Sequence, residues 1–283
     1  MSQVNWLWPN NKRLAVVLNV CLEAWSDGKA PGISPMGNPL PAIPGVIDTM
    51  AISWAAYGPK RGIYRLLEIF ARYNVKASIM VNAVLAERYP EAVKAIAEGG
   101  HEIMSHSYAM DVMPVMLSED EDRKNIKRCT ELLEDVSGSK VRGWISPRAT
   151  SSPATPRLLA EAGYQWYGDV LDEDLPYVQS FGNGKIVAIP TLMDVNDMPS
   201  MKYGSAPRDM LDTFNENIEI FLERDSGPAI IDVTVHAHIF GRPRGAYYLG
   251  KIIERAVGIQ EIWVATRSDI ATHVLTQAPQ SGS

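Results

Sequence analysis

Five short segments of the chain carry side chains that can move a proton or hold a developing charge. Asn19, Cys21 and Glu23 alternate along one apolar run, so an extended backbone puts all three on one face. His106 follows residues 101–105, and Arg148 follows residues 141–145. Asp169, Asp172, Glu173 and Asp174 follow residues 165–167. His236 and His238 close residues 229–235, on the face shared by Asp232 and Thr234. A carboxylate, a guanidinium and imidazoles drawn to one place suit an active site. The acid and the base handle protons, and the planar guanidinium holds oxygens.

Each group also has a plainer reading. Glu23 can cap a helix or sit solvated in a loop, and Cys21 can be a small buried hydrophobe. His106 can bond a backbone carbonyl. Arg148 can pair with the acidic cluster, and Asp172, Glu173 and Asp174 can form a solvated loop. His236 and His238 point to a metal or a proton shuttle, or to one structural histidine beside one functional one. Trp25, Trp144, Trp166, Tyr167 and Tyr177 read as core or pocket wall.

Missing motifs narrow the chemistry. The chain has no Gly-rich phosphate loop, no His-Glu-x-x-His, no Cys-x-x-Cys and no Gly-x-Ser-x-Gly. With 46% hydrophobic and 21% charged residues the composition is globular, not disordered or fibrous. The net charge of −6 speaks against a nucleic-acid partner. The densest basic stretch, residues 123–128, follows the acidic residues 119–122 and reads as a salt-bridged helix face. No apolar run is long enough for a membrane span. Cys21 and Cys129 are too few for a disulfide scaffold and read as free thiols. The N-terminal residues show no basic segment followed by an apolar one, so the expected location is cytoplasmic.

The elements that must position these groups alternate. Residues 13–20, 76–82, 101–105, 141–145, 165–167, 186–189, 229–235 and 261–264 read as strands. Residues 62–73, 91–98, 155–162, 208–223, 248–257 and 267–275 read as helices. Another helix opens at Ser118, which with Glu121 has a capping-box pattern, and runs to about residue 136. This predicts an α/β fold with a parallel sheet, a (β/α) barrel of about eight units ahead of a doubly wound open sheet, in one domain spanning residues 1–283. A long loop is expected at about residues 27–60, rich in Gly and Pro up to residue 44, and a loose tail at 277–283. In such barrels the chemistry sits at the C-terminal strand ends, where all five segments fall.

Residues 100–108 (GHEIMSHSY) resemble the second motif of the polysaccharide deacetylase superfamily. Residues 57–62 (YGPKRG), 143–148 (GWISPR), 172–177 (DEDLPY) and 236–243 (HAHIFGRP) are similar to one branch of it. That branch holds purine-catabolic, metal-independent-type allantoinases, cyclic imide hydrolases and peptidoglycan deacetylase homologues. The likeness runs from about residue 13 to residue 275, and it implies a deformed (β/α) barrel of seven or eight strands in a single catalytic domain. It implies that Glu23 is the first-motif carboxylate and His106 the first metal-binding histidine. It likewise implies Arg148 as the third-motif arginine, oriented by Asp172, and His236 as the last-motif histidine. The superfamily triad of Asp and two histidines is incomplete here: the carboxylate is Glu23 and Met110 takes the second histidine's place. A divalent cation such as zinc would therefore rest on Glu23 and His106, with Asp111 or His238 available to complete the set.

The expected activity is hydrolysis of a non-peptide amide C–N bond in a small cyclic amide, imide or ureide. Glu23 serves as base or metal ligand and His236 as acid. Arg148 holds substrate oxygens, and Trp25, Trp144 and His238 line the substrate. N-deacetylation of amino sugar or peptidoglycan fragments is the second reading, and a non-catalytic small-molecule binding protein the third. The resemblance also implies a homo-oligomer, a tetramer as in allantoinase relatives.

Overall fold

The computed structural model describes residues 6–33, 35, 45–182, 184–223 and 227–277. Its strands are β1 (Leu14–Leu22), β2 (Ser78–Val81), β3 (Glu102–Ser105), β4 (Gly143–Trp144), β5 (Trp166–Tyr167), β6 (Tyr177–Phe181), β7 (Gly184–Ala188), β8 (Val195–Asn196), β9 (Ala229–His236) and β10 (Ile262–Ala265). Its helices are α1 (Thr49–Ala55), α2 (Ile63–Arg72), α3 (Val84–Arg88), α4 (Pro90–Glu98), α5 (Glu119–Ser137), α6 (Thr155–Glu161), α7 (Asp197–Lys202), α8 (Pro207–Glu223), α9 (Pro243–Val257) and α10 (Arg267–Gln277).

Side-chain parity explains why β1 is buried along its whole length. Leu14, Val16, Leu18, Val20 and Leu22 pack outward with the helices, in one cluster with Ile63 and Leu66 of α2. Ala15, Val17 and Cys21 pack inward with Met80, Met104, Ile145 and Trp166. A strand covered on both faces reads as a continuous apolar run, as in other parallel sheets. β2, β3, β4, β5 and β7 extend in parallel from one flank of β1, and β9 and β8 from the other. β10 pairs with residues 14–17 of β1, below the stretch that pairs with β2. The α/β fold and the mostly parallel sheet follow the sequence reading.

Several details differ from it. The ladder has ten strands, and no pair among the described residues joins β8 to the β6–β7 edge. The antiparallel hairpin β6–β7 ends that edge, and β8 is only two residues long. The segment expected as a loop at 27–60 contains α1, capped by Asp48, whose side chain accepts from the Ala51 N–H. Residues 34 and 36–44 of that loop, and the tail beyond 277, lie outside the described residues. A π-helical turn (Gly58–Gly62) precedes α2, and α9 begins at Pro243, ahead of residue 248. Ser118 and Glu121 form the expected capping box on α5. The basic stretch is paired as expected: Arg123 with Glu119 and Glu161, Lys127 with Glu131, and Arg128 with Glu87. Both cysteines are free and buried. No helix among the described residues is long and apolar enough to cross a membrane.

Inside the sheet lies a polar plug. Arg267 is fully buried; its Nη2 donates to Asp232 Oδ2 at 2.8 Å and its Nε to Asn19 Oδ1 at 2.8 Å. Asn19 Nδ2 donates in turn to Asp232 Oδ1. Asn19 and Asp232 lie one inward position below Cys21 and one position below Thr234, so the plug forms the floor under the strand ends. Removing one partner of a buried ion pair leaves the other charge uncompensated. Arg267→Ala therefore lowers unfolding stability by about 3–5 kcal/mol, measured by equilibrium urea denaturation. An unchanged midpoint with an unchanged slope contradicts this role.

Candidate active site

β1 and β9 bring the central groups together. Their parallel register sets Cys21 opposite His236, with Glu23 on the same inward face beyond Cys21. Asn82, fully buried after β2, ties the neighbouring strand ends. Its Oδ1 accepts from the Ala24 N–H at 2.9 Å, and its Nδ2 donates to the His106 carbonyl. Glu23 Oε1 lies 3.8 Å from His106 Nε2 and 3.4 Å from His236 Nε2, and all three residues are buried. His106 Nδ1 sits 2.6 Å from the Ile145 carbonyl. A carbonyl only accepts, so Nδ1 carries the hydrogen and Nε2 faces Glu23. His236 is held twice by Asp197: its backbone N–H donates to Oδ2 at 2.8 Å, and its Nδ1 lies 2.6 Å from Oδ1.

This arrangement sets the charges. Burial alone would raise the Glu23 pKa, yet the charge of His236 and the close approach of the two imidazoles hold it far below the usual carboxylate range. Burial alone would lower the His236 pKa, yet Cys21, Glu23 and Asp197 raise it well above its ordinary value. The proton therefore resides on His236, between two carboxylates. Burial pushes the Cys21 thiol up, which keeps it protonated. His238 is driven the other way: burial lowers its pKa to about 3, so it is neutral. It packs edge-on against Trp54 of α1 at 4.4 Å between ring centroids, and neither ring nitrogen has a hydrogen-bond partner among the described residues.

The loop bearing His236 and His238 rests on the π-helical turn. A Cβ on Gly62 would fall 1.9 Å from the Ala237 carbonyl oxygen, and one on Gly241 would fall 2.0 Å from the same atom. Only two glycines allow so close an approach. Arg65 donates to the Tyr57 hydroxyl at 2.6 Å and to the Gly241 carbonyl, and Arg242 stacks over the Tyr57 ring at 4.2 Å. The sequence stretches 57–62 and 236–243 are thus one packed unit.

Glu23, His106 and His236 meet as the sequence predicts, and His238 stands beside them, its ring 5.7 Å from that of His236. Arg148 follows β4 at the same end of the sheet, in a left-handed conformation (φ 59°), exposed and without a side-chain partner among the described residues. It touches neither Glu23 nor His236. Trp25 is half-buried just after Glu23. Two expectations are corrected. Asp172 is exposed and accepts from the Tyr177 hydroxyl at 3.2 Å, so it does not orient Arg148. Asp169 fixes that turn instead: it accepts from the Ser146 N–H at 2.7 Å and from the Ser146 hydroxyl at 2.6 Å, and burial raises its pKa to about 6. Trp144 is fully buried on the outward, helix-facing side, bonded to Ser146 Oγ at 2.9 Å, and does not line the site.

Asp197 and Asn82 are the functional residues the sequence reading missed. β8, the strand that presents Asp197, is two residues long and leaves no periodic trace. Asn82 was visible only as a polar residue closing an apolar run.

The cation site implied by resemblance does not assemble around Glu23 and His106. Met110 is half-buried, and a thioether suits neither a hard nor a borderline ion. Asp111 is engaged by the Ser26 N–H at 2.8 Å. His238 falls outside the group of donor atoms that lie within 4.8 Å of one another, which is Cys21, Glu23 and His236.

Residues 55–167 match the polysaccharide deacetylase family. The solved structure of a Mycobacterium smegmatis protein assigned as a polysaccharide deacetylase is 31% identical, with a TM-score of 0.82 over 100% of this chain and 97% of that one. The structure of PuuE allantoinase is 25% identical, with a TM-score of 0.88 over 97% of this chain and 94% of that one. The peptidoglycan deacetylase of Helicobacter pylori is 22% identical over 81% of this chain and 89% of its own length.

The Asp197 contact generates a pH prediction. The Asp197 carboxylate favours the charged imidazole, so removing it lowers the His236 pKa. In Asp197→Asn the His236 titration midpoint moves down by about 1–3 pH units, read by NMR of histidine-labelled protein. A midpoint that does not move contradicts the assignment of the proton.

Proposed function

The chain belongs to the polysaccharide deacetylase family and is a hydrolase of carbon–nitrogen bonds other than peptide bonds, and from that premise we propose that it opens a small cyclic amide, imide or ureide. The observation that carries this reading is the line Asp197–His236–Glu23, a protonated imidazole between two buried carboxylates. It supplies a proton acceptor and a proton donor 3.4 Å apart.

The steps follow from those positions. Glu23 takes one proton from the attacking water while the hydroxyl oxygen bonds the carbonyl carbon. The C–N bond then breaks, and His236 gives its Nε2 proton to the leaving nitrogen. The proton on Glu23 returns to His236 across the 3.4 Å gap, which restores both groups. Asp197 holds the imidazole in orientation and stabilises its charged form, as the third member of a nucleophile–base–acid constellation does elsewhere. His106, with its Nδ1 tied to the Ile145 carbonyl, directs Nε2 at the water on Glu23.

Binding falls to groups at the rim. The exposed guanidinium of Arg148 takes a substrate carbonyl or carboxylate oxygen. Neutral His238, with no hydrogen-bond partner for either nitrogen among the described residues, offers one donor and one acceptor to a substrate ring, and Trp54 and Trp25 supply flat walls. A neutral, apolar-backed imidazole suits a planar ring better than a hydrated sugar. The likeness to an allantoinase over nearly the whole chain supports a ring substrate.

The second reading is N-deacetylation of amino sugar or peptidoglycan fragments, favoured by the Helicobacter pylori relative. It uses the same acid and base on an acyclic amide. Initial rates on hydantoin, succinimide, allantoin and chitooligosaccharides separate the two. We expect ring opening, with kcat/KM falling about a thousandfold in both Glu23→Gln and His236→Ala. Acetate release from chitooligosaccharides with no ring opening establishes the second reading. Unchanged rates in both variants overturn the assigned roles.

A further inference from the structure

We propose that Cys21, Glu23 and His236 form a binding site for a thiophilic divalent cation such as zinc or cobalt(II). This site is not the Glu23–His106 pair that the family likeness implies. It uses a thiol and an imidazole from adjacent strands, and shares only the carboxylate.

The geometry is set by the backbone. Cys21 and His236 are register partners across the β1–β9 ladder, and Glu23 lies on the same face two residues on. One sulfur, one nitrogen and one carboxylate oxygen from the three side chains fall within 4.8 Å of one another, and all three residues are buried. Strand pairing brings the three donors together in advance, and binding releases the Cys21 thiol proton and the His236 Nε2 proton to solvent as the ion takes their places.

Asp197 supplies the outer support. Metal-bound histidines commonly donate their other ring N–H to a carboxylate, which fixes the tautomer and aims the free nitrogen. Here Asp197 Oδ1 lies 2.6 Å from His236 Nδ1, and the His236 backbone N–H holds the same carboxylate at Oδ2. Nε2 is left pointing at Glu23.

Charge favours a cation as well. Glu23 and Asp197 are both buried, and no lysine or arginine among the described residues forms an ion pair with either; their charged partners are imidazoles. The mixture of sulfur, nitrogen and oxygen donors selects zinc or cobalt(II) over magnesium and calcium, which demand oxygen ligands.

One consequence rests on the reaction proposed above, although the site itself does not. A cation on His236 Nε2 occupies the atom that protonates the leaving nitrogen, so the loaded protein loses turnover.

Cobalt(II) titration of protein freed of metal by chelator dialysis tests the site. Saturable binding of one ion with an intense near-ultraviolet thiolate-to-cobalt absorption is expected. That absorption should vanish in Cys21→Ser, whose fold is checked by circular dichroism. Wild-type protein that binds no cobalt, or binds it without the thiolate absorption, overturns the site. Added zinc should remove turnover and a chelator restore it. If the absorption appears but zinc leaves turnover intact, the cation site stands and the acid role of His236 falls.

Discussion

The parallel pairing of β1 with β9 is the constraint on which the site depends. It runs from Leu14 opposite Ala229 to Cys21 opposite His236 without a break. Side chains along a strand alternate between faces, so a slip of one residue would turn every inward group outward. His236 would then face the helices, where Val233 and Val235 now pack. The plug of Arg267, Asp232 and Asn19 helps hold the register, because its hydrogen bonds cross between the two strands. Stability and chemistry are therefore linked through the same two strands: the floor fixes the pairing, and the pairing places Glu23 against His236.

Two histidines separated by one residue end in opposite protonation states. His236 lies between Glu23 and Asp197 and keeps a proton. His238 lies against Trp54, with no hydrogen-bonding partner among the described residues, and stays neutral. Environment sets the division of labour between like side chains, an acid in one place and a neutral hydrogen-bonding group in the next. The π-helical turn makes this possible. Gly62 and Gly241 let it press on the loop that carries both rings, and α1, just before it, brings Trp54.

The sequence carried the outline of this arrangement, and the limits of its legibility are physical. The near-continuous apolar runs at residues 13–20 and 229–235 placed Glu23 and His236 at strand ends, because long strands buried on both faces leave a clear apolar pattern. The same parity applied to residues 143–145 would have turned Trp144 outward, since Gly143 and Ile145 flank it and Ile145 packs inward. Asp197 was invisible because it follows a strand of two residues whose meaning lies in a partner remote in the chain. Asp169 and Asp172 are equally acidic in sequence, and only burial separates them: Asp169 anchors Ser146, whereas Asp172 faces solvent. α1 was read as loop because its capping residue, Asp48, stands in a region dense in Gly and Pro.

If Glu23 and His236 act as one proton-handling unit, removing either should disable the other. The most direct measurement is kcat/KM for ring opening in Glu23→Gln, His236→Gln and the double variant. The account predicts that the double variant loses no more rate than the more damaged single variant, as in other catalytic units that fail together. Losses that multiply in the double variant would mean that the two groups act independently, and would contradict it.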